Sequence, residues 1–490
     1  MTFKFLNKSE MSLKNAALIN AISKYSVVIM NLFFTAILAR LLSPSDYGVV
    51  AILTVFTNFF IIFCDMGIGT AVIQNKKLTD EDHYNIFSFS LIIGIGLAVL
   101  FSLFSIVIVH MYKNTIYYTL GPVLSLSLMF NTFNMVPNAL LMKEKRFMMA
   151  GVRKVVANII SYVVAIILAY LGFSYYAIVF QSVSSAVVIF LWNLKGVNLK
   201  IGRVKIFDSV RKVLGFSIYQ FLFSIINYFT RNLDNLMSGY FFGQETLGYY
   251  DKAYRLMRYP VENLTNVITP SIQPILSDYQ DDAEYIYKKY SQILKLLTLA
   301  SIFISAFCFF ASEEVVILFF GDQWYKSVES FHILSLSLIF QIVNGFSGSI
   351  YQSVNKTKQM LFAGVINSVI LITAIIIGII LDSIEMLALS YTIGFIIMFF
   401  VNQFMLSKFC FSKSFFILMK EIWKEGIIFA VMFGVMYFVP TLKNLILSAT
   451  LKFSVCIVIY IIMLIITKEY TILTSLLPKK LKNKFKRKSV

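Results

Sequence analysis

The chain has 490 residues, of which 58% are hydrophobic and only 14% charged, and its formal net charge is +18. Apolar runs of about twenty residues follow one another almost without a break, which excludes a soluble globular protein. The basic residues are distributed over polar turns rather than gathered on one face, so we expect no nucleic-acid partner. The composition therefore predicts an all-α integral membrane protein.

Polar turns divide the sequence into about fourteen candidate transmembrane helices. The first begins near Ala16 and is too long and too polar for a secretory signal, so we expect it to be retained. The predicted spans are centred near residues 28, 60, 97, 129, 161, 184, 226, 261, 298, 340, 370, 397, 430 and 456.

The distribution of Lys and Arg predicts the orientation of these spans. With the N-terminus in the cytoplasm, about 33 of the basic residues lie on the cytoplasmic side and about five outside, as the positive-inside rule requires. Both termini are then cytoplasmic, and the external connections are the short segments Ser43–Asp46, the Glu245 turn and Glu313–Glu329. The cations that remain within the spans are Lys24, Arg231, Lys252, Arg255 and Arg258.

Two consecutive spans between Gln220 and Gln273, joined by a short turn over Phe242–Thr246, carry polar residues at steps of three and four. Such spacing places them on one face of each helix. Either this face lines a water-filled cavity, or its charges pair with one another and brace the helices; we favour the cavity because the stripe continues in uncharged polar residues. The stripes are Gln220, Ser224, Asn227, Arg231, Asp234 and Ser238, then Asp251, Arg255, Arg258, Glu262, Asn266 and Thr269.

Two pairs of segments indicate an internal repeat. Leu41–Gly48 matches Phe241–Gly248, and the basic turn at Lys143 matches the one at Lys356. An even number of crossings gives the two halves the same orientation, so we predict parallel six-helix lobes at 1–200 and 201–412. Residues 413–490 add two helices and a basic cytoplasmic tail. Under this alignment Asn31 corresponds to Arg231. Chance similarity between apolar segments is the alternative.

Few other residues suggest chemistry. The four cysteines fall inside apolar runs without a CxxC pair, and the three histidines lie at predicted span ends, so no disulfide, metal or cofactor is expected. Proton or sodium coupling through Asp65, Asp234 or Glu262 is an open alternative to their pairing with arginines.

The motifs around the first two spans, Leu41–Gly48, Asp65–Gly69 and Ala71–Gln74, resemble the opening of polysaccharide exporters of the Wzx type, in the MOP superfamily. The segments Asn232–Asn235 and Leu247–Leu256 are similar to the second signature of that family. This resemblance implies the two-lobed, fourteen-helix fold shared with MATE exporters. It also implies a flippase in the cytoplasmic (inner) membrane for undecaprenyl-diphosphate-linked repeat units of O-antigen, teichuronic acid or a similar surface polymer.

The resemblance further implies that a basic central cavity holds the anionic head group, with membrane lipids, and a polysaccharide polymerase or other assembly proteins, as partners. Tyr228, Tyr249, Tyr250 and Tyr254 could stack on sugars. The candidate substrate-binding residues are Lys24, Asn31, Arg231, Asp234, Arg255, Arg258 and Glu262.

Two other functions compete with this interpretation. A MATE-type multidrug or cation antiporter would present mostly carboxylates and aromatic rings to its cargo, whereas the stripe is net positive. A membrane polymerase or glycosyltransferase acting on the same lipid-linked sugars generally offers catalytic groups on a large external loop, and the predicted external loops are short. The sequence therefore favours a transporter over an enzyme.

The predicted topology can be tested by labelling single cysteines in a variant whose four native cysteines are replaced. A cysteine at Lys200 should react with an impermeant maleimide only after the cells are opened, because the basic connection around it is cytoplasmic. A cysteine at Gln323 should react in intact cells. Labelling of position 200 from outside would overturn both the orientation and the repeat.

Overall fold

The computed structural model describes residues 13–65, 69, 72–73, 78–144, 146–202, 206–214, 218–277, 279–280 and 282–475, and these residues form helices without any strand. The helices are α1 (Leu13–Leu41), α2 (Pro44–Asp65), α3 (Asp80–Tyr112), α4 (Tyr117–Phe133), α5 (Met135–Lys143), α6 (Phe147–Tyr170), α7 (Tyr175–Gly196), α8 (Ile206–Leu214), α9 (Ile218–Phe241), α10 (Gln244–Ser277), α11 (Ala283–Phe310), α12 (Ser312–Phe320), α13 (Ser327–Ser335), α14 (Leu338–Asn344), α15 (Ser347–Ser353), α16 (Thr357–Ile380), α17 (Ile384–Phe409), α18 (Phe415–Glu421), α19 (Trp423–Tyr437), α20 (Leu445–Thr467) and α21 (Tyr470–Ser475).

Every predicted span centre lies within one of these helices, which confirms the all-α membrane class. Eight helices in the described part of the chain are long and apolar enough to cross a bilayer, and the bent pair formed by 327–335 and 338–353 would be a ninth. The stripe-bearing helices α9 and α10 are not among the eight. The total of fourteen spans therefore stays a prediction.

The order of long and broken helices is the same in the two predicted sets of six. In each set the fourth segment is interrupted: α4 gives way to α5 at Asn134, while α12 to α15 succeed one another with a bend of 55° between residues 335 and 338. The fifth and sixth segments are joined by polar side chains in both sets, and of these Arg153, Asn193 and Asn402 are buried while Asn367 is half-buried. Arg153 donates to Asn193, and Asn367 Nδ2 donates to Asn402 Oδ1 at 3.1 Å.

The described helices form two compact units, residues 1–248 and 249–490. In the first unit an apolar core joins α2, α3, α4 and α7, and Leu236 of α9 and Leu247 at the start of α10 pack into it. A compact unit need not coincide with one copy of an internal repeat. The division into lobes at 1–200 and 201–412, with 413–490 added, therefore stays a prediction.

Two local expectations differ from the structure. The segment Glu313–Glu329, expected as a loop, contains α12, a short 3-10 helix over Asp322–Trp324 and the start of α13. It is ordered because apolar residues such as Val316 and Phe320 are buried there. The turn between α9 and α10 is shorter than Phe242–Thr246, because α10 already begins at Gln244.

The C-terminal helix α20 is attached to the second unit by a buried ion pair. Lys452 Nζ lies 2.5 Å from Glu314 Oε1 of α12, and the two side chains are only 6% and 0% exposed. Ser448 Oγ donates to the same carboxylate oxygen at 2.5 Å, and Lys452 Nζ donates to the Phe310 carbonyl oxygen at 2.8 Å. These hydrogen bonds support Glu314 Oε1 and the Lys452 ammonium, whereas Glu314 Oε2 is buried with no hydrogen-bond partner among the described residues.

Around this ion pair, an apolar cluster brings α11, α19 and α20 together, with Leu299, Ile302, Met432 and Cys456 at its centre. The two helices beyond the predicted lobes are thus integral parts of the second compact unit.

Replacing Lys452 with Met should destabilise the protein by about 3–5 kcal/mol, because the Glu314 carboxylate would be left buried without its cation. The double variant K452M/E314M should recover most of this loss. Thermal unfolding in detergent would measure both, with K443M as the control, since Lys443 is exposed. A double variant less stable than K452M would contradict the assignment.

Candidate functional site

The polar stripe of α9 divides into an exposed and a buried part. Arg231 is exposed, whereas Asp234, Asn235 and Ser238 are 0%, 5% and 0% exposed. Among the described residues Arg231 makes no ion pair, so a brace between Arg231 and Asp234 is not observed. The guanidinium of Arg231 is thus accessible to an anion.

Hydrogen bonds fasten α9 to the helices of the first unit. The Tyr228 hydroxyl donates to the Val55 carbonyl oxygen of α2 at 2.5 Å, and the Tyr112 hydroxyl of α3 donates to the Leu236 carbonyl oxygen at 3.1 Å. The bond from Tyr112 goes to the main chain of α9, and the bond to Val55 ties the Tyr228 side chain of α9 to the main chain of α2. The position of Arg231 is therefore held by the backbone of α9.

The arginines of α10 pair with carboxylates one turn away on the same helix. Arg255 Nε lies 2.7 Å from Asp251 Oδ2, and Arg258 Nη2 lies 2.5 Å from Glu262 Oε1. Arg255 is 54% exposed, Arg258 34% and Glu262 50%. Each pair stays within one helix and does not join α10 to a neighbour. Asp251 is buried, whereas Arg258 and Glu262 are both partly exposed, and a solvent-exposed pair of this spacing contributes only about 0.3–0.5 kcal/mol.

The arginines of α10 lie deep along the helix. From its first residue, Gln244, a rise of 1.5 Å per residue places Arg255 about 16 Å and Arg258 about 21 Å along the axis. Both are deeper than a start near Thr246 would give. The helix has 34 residues, which corresponds to about 51 Å and exceeds the hydrocarbon thickness of about 30 Å.

Aromatic rings support Arg258. Its guanidinium carbon lies 5.7 Å from the centre of the Tyr254 ring, in cation–π range. The Tyr254 hydroxyl lies 3.4 Å from that of Tyr391, and the Tyr250 ring stacks on Tyr254 at 6.1 Å. Tyr250, Tyr254 and Tyr391 are all buried. Tyr250 and Tyr254 therefore position the arginine and do not offer free faces to sugars.

Two other tyrosines proposed for sugar stacking are engaged elsewhere. Tyr228 donates its hydroxyl to Val55, as described above, and is half-buried. Tyr249 is also half-buried, and its ring meets Trp324 edge-on at 6.0 Å between centres. These contacts make both rings part of the packing around the stripes.

Lys252 belongs to the intramembrane cations, but its surroundings differ from those of the arginines. It is 2% exposed, and its Nζ lies 5.1 Å from the Phe320 ring centre and 5.3 Å from that of Trp324. Both rings belong to the segment that was expected to be a loop, so sequence reasoning missed this contact. Lys252 fixes the start of α10 and is inaccessible to a ligand.

The remaining candidates lie on α1. Asn31 is half-buried, and its Oδ1 is buried with no hydrogen-bond partner among the described residues. Lys24 lies in the described backbone of α1, but its side chain is outside the described residues, as are those of Gln220, Ser224, Asn227, Asn266 and Thr269. That Lys24, Asn31, Arg231, Asp234, Arg255, Arg258 and Glu262 line one cavity stays a prediction.

Comparison with solved structures shows the fold. The chain is similar to the lipid II flippase MurJ in an inward closed conformation, with a TM-score of 0.72 and 16% identity over 93% of this chain and 100% of the other. A multidrug resistance MATE transporter of the MOP superfamily, in an inward-facing conformation, matches with a TM-score of 0.62 and 16% identity over 84% and 99%. At such identities the likeness establishes the fold alone, and it confirms the expected MATE-like architecture.

Sequence comparison shows the family. The lipopolysaccharide biosynthesis protein WzxC of Escherichia coli (strain K12) is 23% identical over 82% of this chain and 80% of its own length. The teichuronic acid biosynthesis protein TuaB of Bacillus subtilis (strain 168) is 22% identical over 67% and 69%. The model of the family described as polysaccharide biosynthesis protein matches residues 37–329, which is more than half of the chain. The chain is therefore a multi-pass membrane protein of the transporter type that belongs to the polysaccharide biosynthesis protein family.

Proposed function

We propose that the chain is a flippase that moves undecaprenyl-diphosphate-linked oligosaccharide repeat units across the cytoplasmic membrane. The family, the relatives named for lipopolysaccharide and teichuronic acid biosynthesis, and the fold shared with a lipid II flippase all support this function. The observation that carries the proposal is Arg258, whose side chain is one-third exposed although it lies far along a membrane-length helix, and whose carboxylate partner is itself half exposed. Such a charge requires water or a polar ligand beside it.

The chemistry of the cargo explains why a shielded path is needed. A diphosphate bearing several sugars has many polar groups, and each costs several kcal/mol to place in hydrocarbon without a partner. A guanidinium stays charged and grips phosphate oxygens bidentately. It has five N–H donors, so the bond from Arg258 to Glu262 leaves donors for an anion. The prenyl chain remains in lipid throughout.

The two competing functions fit these residues less well. The cationic cargo of a drug antiporter would be repelled by the exposed side chains of Arg231, Arg255 and Arg258. A polymerase or glycosyltransferase generally offers catalytic groups on a large external loop, and the predicted external connections of this chain are short. We therefore assign transport rather than catalysis, with no cofactor.

The orientation and the mode of movement follow from the same proposal. Both termini face the cytoplasm, where the basic tail lies on the anionic inner leaflet. The two six-helix lobes rock about the axis between them, so that the path opens alternately to each side. A polymerase and other assembly proteins would receive the repeat units on the outer side.

Deletion of the gene in its own host provides a direct test of the function. Cells without the protein should lose the surface polymer and accumulate the lipid-linked oligosaccharide on the inner leaflet, because synthesis continues while transfer stops. Extraction of undecaprenyl-linked intermediates followed by mass spectrometry would measure this, with the complemented strain as control. Normal polymer and no accumulation would overturn the proposed function.

Charge reversal at Arg258 or Arg231 should abolish export, since it turns attraction into repulsion in a confined, poorly screened space. R258K should keep partial function because it retains the charge and loses the bidentate grip. Surface polymer and accumulated intermediate would be measured at equal membrane abundance. R146E is the matched control, because Arg146 forms a similarly exposed pair with Glu144, 2.8 Å apart, in a predicted cytoplasmic turn.

The alternative, in which Arg258 matters only through its pair with Glu262, predicts a different result. In that case the exchange R258E/E262R would restore the pair and with it export. Rescue by this exchange would contradict a role of Arg258 in substrate binding. Arg231 has no such pair among the described residues, so its reversal tests the substrate role directly.

A further inference from the structure

We infer that Gly48 of α2 and Gly248 of α10 are positioning residues of the transport cycle, whose backbone-to-backbone crossing closes the translocation path at one end. The inference rests on the proposed function for the meaning of the path, and on the first compact unit for its geometry, since that unit runs to Gly248. The two glycines are equivalent in the internal repeat, each five residues into its helix. Both are buried.

The contact between the two glycines is reciprocal. A Cβ added to Gly48 would overlap the carbonyl oxygen of Gln244, and one added to Gly248 would overlap the carbonyl oxygen of Pro44. Each added Cβ would also lie 3.2 Å from the backbone nitrogen of the other glycine. The atoms that would be struck belong to the main chain of the opposite helix, so no side-chain rotation can make room. Such a close approach of the two helices therefore requires glycine at both positions.

The contacts around the crossing belong to the same end of the molecule. Asn114, in the turn between α3 and α4, donates from Nδ2 to Gln244 Oε1 at 2.7 Å. Leu247 is fully buried in the apolar core of the first unit. Next to it, a Cβ on Gly239 would lie 3.0 Å from Leu247 Cδ2 and 3.1 Å from Ile52 Cδ1. Around Gly239 of α9 the helices thus meet through the side-chain ends of Leu247 and Ile52, which can move aside.

The energetics suit a contact that forms and separates repeatedly. Glycine inside a helix costs roughly 0.5–1 kcal/mol relative to alanine. This chain places one at equivalent positions in both repeats, where neither helix needs it for its own stability. Close approach of helix backbones is stabilised by van der Waals contact and weak Cα–H···O bonds of about 0.5–1 kcal/mol each. The contact between the glycines themselves is therefore specific in shape and weak in energy.

The predicted orientation locates this contact. The residues before α2 and the turn before α10 are external connections by the distribution of Lys and Arg. The crossing therefore closes the outer end, and α2 and α10 must part there when cargo leaves. Alanine at either glycine would hold the two backbones apart, so that the outer end no longer closes and the cycle stops.

Cysteines at Asn114 and Gln244, in a variant with the four native cysteines replaced, report the closed contact. A short bifunctional thiol reagent should cross-link them in the otherwise wild-type chain. G48A and G248A should each lower the cross-linking yield severalfold and abolish export at normal membrane abundance. G96A is the matched control, because a Cβ on Gly96 of α3 meets no atom within 4 Å, and its yield should equal that of the parent.

G239A extends the series, since its Cβ meets only movable side-chain ends and the variant should fold even where the others do not. Its yield should fall, but less than in G48A. An unchanged yield in G239A, unchanged yields in G48A and G248A, or an equal fall in G96A would each overturn the inference. Cross-linking is read without the cargo, so failure of the deletion experiment would overturn the flippase function and leave this result standing.

Discussion

The cost of placing charge in hydrocarbon governs this structure, because a chain of apolar helices can keep an ion within the membrane only where a partner or water compensates it. The second unit shows two solutions. Lys452 and Glu314 are fully buried with hydrogen bonds from Ser448 and to the Phe310 carbonyl. Arg258 and Glu262 are paired but partly exposed. The first arrangement is closed to solvent, and the second is open to it.

Lys252 shows a third solution and separates structural from functional cations on one helix. It is enclosed by Phe320 and Trp324, while Arg255, three residues later, is half exposed. Burial against the two rings keeps Lys252 away from a ligand, whereas an exposed guanidinium is accessible to an anion. Position along α10 therefore decides which cation is buried and which is exposed.

A flippase must combine firm attachments with contacts that separate. The helices α19 and α20 are held to the second unit by a buried ion pair and an apolar cluster, both costly to break. At the crossing of Gly48 and Gly248 the two backbones fit closely together, but only weak interactions hold them there.

The sequence by itself determined what depends on spacing along one helix: the membrane helices and the stripes on α9 and α10. It offered the pairing of the α10 arginines with carboxylates as an alternative, because residues four apart are neighbours on a helix. Only the tertiary structure decided what depends on distant segments. The fold buries Asp234 and exposes Arg231, and it joins Lys452 to Glu314. It also forms helices over most of Glu313–Glu329, whose acidic residues had suggested a loop. Exposure and long-range contact are properties of packing, and periodicity along a single helix carries no record of them.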